Sequence, residues 1–224
     1  MHDLNQPAYG LWPVVLFNIV LVLGFVASFM LPKRRVEWRS MGLFAAWIVA
    51  LFTEMFGFPL TIYALTALLG RADPVLNPFT HINGHLLVVL SGGSPIVYVL
   101  VMGITPILFW VAIMLMGSAW RQVHAAEGKL VTDGLYARVR HPQYSAMFLL
   151  IASLLIQWPT VLTVLMSPIL FVVYYRLAMR EEREMEAHAS RGPAYLDYKS
   201  TVPAFLPRLS TRMARPAGGT GTAS

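Results

Sequence analysis

Five apolar runs and the polar segments between them organise this chain. Leu11–Leu31 is about 21 residues without a charge, enough to cross a bilayer core of about 30 Å. Lys33-Arg34-Arg35 and Arg39 stop it. Met41–Leu69 is a second apolar run, and Gly57-Phe58-Pro59 inside it predicts a kinked helix. A polar loop follows over Gly70–Gly93, with Asp73-Pro74, Asn77-Pro78 and Gly92-Gly93, and with a short amphipathic piece at Leu86–Leu90. Pro95–Trp120 reads as a third span with Pro106 as a candidate kink. Ser145–Gln157 and Thr160–Tyr175 are separated only by Trp158-Pro159. Each is short against the usual span of about 20 residues, so the pair predicts a tight helical hairpin that is tilted or reaches only part-way. Arg176–Ser190 is charged and helical in pattern, Tyr195–Pro207 is an amphipathic end, and Arg212–Ser224 has a composition that predicts disorder.

The expected fold is therefore an all-α polytopic membrane protein. It has about five transmembrane helices, a short C-terminal helical hairpin and a cofactor pocket on the cytoplasmic side. Residues 1–120 hold three spans, 121–208 the hairpin with its polar flanks, and 209–224 the tail.

Composition sharpens this picture. Hydrophobic residues make up 57% of the chain and charged residues 12%, whereas soluble domains carry about 25% charge. Lys+Arg 17 against Asp+Glu 11 leaves +6. Placed beside apolar runs, that excess points to anionic lipid rather than to nucleic acid. With Lys33–Arg39 in the cytoplasm and five passes, only Arg71 of the 17 Lys+Arg falls outside. The N-terminus is then outside and the C-terminus inside, in what is expected to be a prokaryotic inner membrane. There are no cysteines, which excludes disulfides, thiolate catalysis and cysteine-held metals. The first apolar run is too long for a signal peptide.

Candidate chemistry lies in Leu130-Val-Thr-Asp-Gly-Leu-Tyr-Ala-Arg-Val-Arg-His-Pro-Gln-Tyr144, a polar run wedged between apolar segments. A tight hairpin brings its own ends together. Arg140-His141-Pro142-Gln143-Tyr144 should thus meet Arg176…Arg180-Glu181-Glu182 at one place level with the membrane surface. Alone, Pro142 also reads as a helix start and the basic residues as interfacial anchors, and Glu181–Glu186 as a solvated helix face. Glu54 sits deep in the second run, where a carboxylate defaults to function or else makes a helix–helix contact beside the kink. His81 and His85 share helical spacing with no third metal ligand in view and read as ordinary loop histidines.

Gly134-Leu-Tyr136, Arg140-His141-Pro142-x-Tyr144, the hairpin, Glu181-Glu182, Gly192-x-x-Tyr195-x-x-Tyr198 and Val202-Pro203…Leu206-Pro207 together resemble the isoprenylcysteine carboxyl methyltransferase family, over roughly residues 121–208. The resemblance implies an S-adenosylmethionine-dependent methyltransferase embedded in the membrane. Its acceptor would be a lipophilic small molecule or lipidated group bearing a carboxylate, thiol or amine. By motif position, Lys129, Leu130, Val131, Tyr136, His141, Pro142, Gln143, Tyr144, Glu181 and Glu182 would contact the cofactor, with the register of Glu181 against Glu182 open. Arg176 or Arg180 would hold the acceptor, Gln122 is a loose counterpart of a family Gln, and His141 could serve as a base. A sulfonium donor is already activated, so the protein mainly positions and desolvates, and no metal is required. The competing readings are a membrane reductase using NADPH and a non-enzymatic membrane protein. Neither a nucleic-acid partner nor an oligomeric state is indicated by the sequence.

Overall fold

A computed structural model describes residues 10–29, 35–69, 81–126, 129–190 and 192–208. Lys33, Arg34, Asp73-Pro74, Asn77-Pro78, Arg191 and the 209–224 tail lie outside the described residues, as does the side chain of His81. Among the described residues every regular element is helical. The order is α1 (Trp12–Phe29), α2 (Arg35–Phe52), a π-helical turn (Thr53–Gly57), α3 (Leu60–Leu69), a 3-10 turn (His81–Gly84), α4 (Leu86–Leu90), α5 (Pro95–Ala125), α6 (Pro142–Gln157), α7 (Val161–Glu186) and α8 (Gly192–Thr201).

Three helices are long and apolar enough to cross a membrane by length and composition: the one over Arg39–Gly57, α5 and α7. α1 and α6 are apolar but shorter. At 1.5 Å per residue, α6 extends about 24 Å and α5 about 46 Å. The outer faces carry large bare hydrophobes, among them Phe17, Val20, Ile96, Ile107, Trp110 and Met114. Soluble proteins do not leave such a belt to water, and lipid is its natural cover.

Three expectations change. α7 is one continuous helix through Glu186, so the hairpin's second arm is not short. The hydropathy drop at Arg176 marks where the helix leaves the apolar belt, not where it ends. Likewise α5 continues past Trp120 to Ala125, across the expected boundary. The Gly57-Phe58-Pro59 step breaks the helix outright: Pro59 cannot donate to the ladder, and the chain restarts at Leu60. Glu54 belongs to this break. Its Oε2 accepts the Thr61 backbone N–H at 2.9 Å, satisfying an orphan donor at the start of α3. The same Thr61 accepts the Val161 backbone N–H on its Oγ1 at 2.9 Å.

The bundle has one continuous core, with Phe44, Trp47, Ile48 and Leu51 of α2 against Met147, Leu150 and Ile151 of α6 and Leu170 and Tyr174 of α7. Trp47 Nε1 donates to Thr163 O and Ser167 Oγ, both at 3.1 Å, and so ties α2 to α7. α5 lies along α6. The hairpin turn is braced from below. Thr160 and Thr163 form a capping box at the start of α7. His85 Nδ1 bonds Gln157 O at 2.9 Å, and its ring stands edge-on to Trp158 at 4.8 Å, which fits the loop-histidine reading. Gly84 lies so close to the Trp158 indole that a Cβ would sit 1.7 Å from Cζ2. Gly84→Ala should therefore displace Trp158 and lower stability by about 1–3 kcal/mol, the usual range for overpacking, measured by thermal unfolding in detergent. An unchanged midpoint would show that this turn is not packed as described.

Candidate functional site

The bundle end opposite the Trp158 turn gathers the polar run, the end of α7 and α8. Each approach is locally determined. Gly134 takes a left-handed φ of +58°, a region that favours glycine. A Cβ there would also meet Gln122 Oε1 at 2.7 Å. That Oε1 accepts the Leu135 N–H at 3.1 Å, so Gln122 of α5 sets the turn that aims Tyr136. Pro142 opens α6 at the first helical position, and His141 is its N-cap residue. The C-terminal strap pairs with this edge: Arg140 N donates to Pro203 O at 2.8 Å and His141 N to Ala204 O at 2.9 Å. Phe205 then stacks on His141 with ring centroids 5.4 Å apart.

At the centre lies Glu182, 1% exposed. Its Oε1 takes Arg140 Nε at 2.9 Å, Arg140 Nη2 at 2.9 Å and His141 Nε2 at 2.9 Å. Its Oε2 lies 2.7 Å from Lys199 Nζ. The hairpin therefore does bring the Arg140–Tyr144 edge onto the Glu181–Glu182 edge. One residue earlier, a helical step of about 100° turns Glu181 outward, where its Oε1 accepts the Tyr144 hydroxyl at 2.5 Å. Tyr198 of α8 donates its hydroxyl to Tyr136 O at 2.6 Å.

These groups enclose a cavity of about 330 Å³, lined by Val123, Lys129, Leu130, Val131, Tyr136, Arg140, His141, Gln143, Tyr144, Glu181, Glu182, Met185, Tyr195 and Tyr198. Its size falls within the range of small-molecule sites. Nine of the ten residues expected at a cofactor line it; Pro142 does not, being buried as the first residue of α6. Neither Arg176 nor Arg180, the residues expected to hold the acceptor, lines it. Both are exposed, and Arg180 spends its guanidinium on Glu184 at 3.2 Å. The reason is helical phase: Ala178, Glu182 and Met185 share the inner face, and Arg176 and Arg180 lie on another. Sequence reasoning put Arg140 on the edge that meets the glutamates without giving it a contact, and it did not assign Val123, Met185 or Lys199 to the site. Tyr195 and Tyr198 stood in the motif without a role.

Burial holds the His141 imidazole below the usual histidine range; the hydrogen bond to Glu182 opposes this, and the Arg140 and Lys199 charges add to it. Burial raises the phenols as well, Tyr195 and Tyr198 each to about 12 and Tyr136 further, with Glu181 contributing. The cavity thus presents neutral imidazole and neutral phenols at neutral pH.

Residues 96–187 match the family model described as the Isoprenylcysteine carboxyl methyltransferase (ICMT) family. The match is less than half of the 224 residues. It includes nearly all of α5, then α6 and α7, and with them His141, Tyr144, Glu181 and Glu182; α8 and the helices before α5 fall outside it. It supports an ICMT-like assignment and, with it, a membrane methyltransferase in general. Comparisons with curated proteins and with solved structures give no match.

Two outcomes follow from the geometry. Glu182→Gln strands Arg140 and Lys199 beside a buried amide and should cost about 3–5 kcal/mol, whereas Glu184→Gln, in an exposed pair, should stay within about 0.5 kcal/mol; denaturant unfolding of the two variants measures the contrast, and equal effects would refute the buried role. The second concerns pH. A His141 value below the unfolded one means that the unfolded chain binds the extra proton. Its contribution to stability is then fully present above about pH 6.5 and declines as pH falls below that towards the folded value. The unfolding midpoint of the wild type should drop through that window, and the drop should be shallower in His141→Gln. Parallel curves would show that His141 is not held neutral by the fold.

Proposed function

Starting from an ICMT-like region in a membrane methyltransferase, we propose that this protein transfers a methyl group from S-adenosylmethionine to a lipophilic acceptor. The supporting observation is the charge balance of the cavity. Its lining holds two cations, Lys129 and Arg140, and two carboxylates, Glu181 and Glu182, with His141 neutral. Arg140 is already committed to Glu182. Such a lining tolerates a ligand that carries a sulfonium. A dinucleotide with several phosphates would need cations in excess, which disfavours the NADPH reading.

When bound, the cofactor supplies an activated methyl group on sulfur. The chain's residues supply the rest. Glu181, fixed by Tyr144, offers a carboxylate for charge-assisted bonds to ammonium or ribose hydroxyl groups. The rings of Tyr136, Tyr195 and Tyr198 offer faces for adenine and for the cation, the latter an attraction of about 0.5–2 kcal/mol. Lys129, Leu130 and Val131 form the rim. A carboxylate or thiolate acceptor needs no base; for a thiol or amine, Glu181 is the carboxylate on the cavity outside the Arg140–His141–Lys199 cluster.

The acceptor's apolar part has a route. A groove of about 500 Å³ runs along the outer flank of α5 past Pro106, Ile107, Trp110, Met114 and Ser118 and ends at Leu135, beside Tyr136. It lies on the exposed side of α5, where Ile107, Trp110, Val111 and Met114 would face lipid. In this reading the site end of the bundle, with its arginines, faces the cytoplasm of a prokaryotic cell and the N-terminus lies outside.

Calorimetry on the purified protein tests the reading. S-adenosylmethionine and S-adenosylhomocysteine should bind and NADPH should not, and Glu181→Ala and His141→Ala should each weaken binding at least about tenfold, or 1.4 kcal/mol. Wild-type affinity in both variants would overturn the site assignment, and binding of NADPH alone would favour a reductase.

A further inference from the structure

We propose that Lys199 is a positioning residue for the cavity: its ammonium clasps α8 to α7 and, through Glu182, fixes the side chains of Arg140 and His141. The inference deepens the methyltransferase reading and rests on it only where cofactor binding is the readout.

Lys199 Nζ lies 2.7 Å from Glu182 Oε2 and 2.6 Å from Glu186 Oε1, so one cation bridges two carboxylates a helical turn apart on α7. The first of these is buried and the second half-buried. The Lys199 backbone carbonyl also accepts Arg140 Nη1 at 3.0 Å, and Val202 O accepts the same nitrogen. The same residue thus meets Arg140 with its carbonyl and meets Arg140's carboxylate partner with its ammonium.

Besides Lys199, α8 is held by the Tyr198 hydroxyl on Tyr136 O and by the burial of Tyr195 and Tyr198. It is a helix of 10 residues that enters through Gly192, where a Cβ would come within 2.3 Å of Glu186 O. This helix supplies Tyr195 and Tyr198, one wall of the cavity. An ordinary surface ion pair contributes about 0–1 kcal/mol. This one differs because one of its carboxylates is buried and shared with Arg140 and His141. Glu182, Glu186, Arg140 and Lys199 carry two charges of each sign, which leaves the cluster neutral while His141 is uncharged.

Electrostatics supplies a readout that packing alone would not move. His141 is faced by Glu182 of α7, Lys199 of α8, Arg140 beside it, and the rings of Tyr144 and Phe205. Removing the Lys199 charge leaves Glu182 in excess and should raise the His141 titration midpoint.

The test compares Lys199→Met, Lys199→Arg and, as control, Glu184→Gln in the full chain in lipid nanodiscs. Two quantities are read: the His141 midpoint by NMR of labelled histidine, and S-adenosylhomocysteine affinity by calorimetry. Lys199→Met should raise the midpoint and weaken binding about tenfold; Lys199→Arg should restore both, and Glu184→Gln should change neither. If Lys199→Met does not fold, Glu186→Gln removes only the outer leg of the bridge and leaves the Lys199 charge wholly to Glu182; it should weaken binding by less and lower the His141 midpoint, and a midpoint that does not fall overturns the proposal. An unmoved midpoint, or weakened binding that Lys199→Arg does not restore, overturns the proposal. If the wild type binds neither S-adenosylmethionine nor its product, the methyltransferase reading fails while the His141 midpoint still decides the role of Lys199.

Discussion

A carboxylate with 1% of its surface exposed cannot stay ionised in a protein interior unless charges of the opposite sign come to it. Glu182 meets that condition by drawing in three separate parts of the chain: Arg140 and His141 from the edge before α6, the end of α7 that carries it, and Lys199 from α8. Most of what gives the cavity its shape follows. Arg140 holds the carbonyls of Lys199 and Val202, which seats the strap whose Phe205 stacks on His141. Tyr144, one turn into α6, is thereby placed to bond Glu181. Binding groups stand on helix ends, and the buried ion cluster fixes how those ends meet.

The remainder of the bundle serves that arrangement from a distance. For the hairpin to return His141 and Glu182 to one place, its turn must be rigid and its arms held. Trp158 under Gly84, the Thr160–Thr163 capping box and the Trp47 bonds to α7 do this. Glu54, the one carboxylate of the second apolar run, bonds the restart of α3 after a proline break and lies at the turn end, not at the cavity. Function is thus not the only reason for a carboxylate at membrane depth; a broken helix with an orphan N–H is another.

How much of this was legible in the sequence depended on whether the signal was local. The Trp158-Pro159 turn, the Leu86–Leu90 piece and the Gly57-Phe58-Pro59 interruption could be read because Pro and Gly act on their own neighbours. The meeting of His141 with the Glu pair followed from the hairpin. Which glutamate turns inward did not, because adjacent helical residues differ by about 100° and only the packed face decides. The same ambiguity applies to Arg176 and Arg180: charge type and spacing suited the site, but their helical phase sets them outside the cavity lining. The length of α7 was hidden because hydropathy reports surroundings, and this helix passes from lipid to water without ending. Lys199 left no trace, since its two partners lie more than ten residues away and on another helix.

The absence of cysteine from the sequence permits a direct test of the central claim, that the hairpin closes one ligand cavity between the start of α6 and the end of α7. Gln143 and Met185 line that cavity from opposite arms. With cysteines at both positions and at no others, a short thiol-to-thiol crosslinker should join them in native membranes, and S-adenosylmethionine, but not NADPH, should slow the reaction. No crosslink, or a crosslink indifferent to S-adenosylmethionine, would contradict the account.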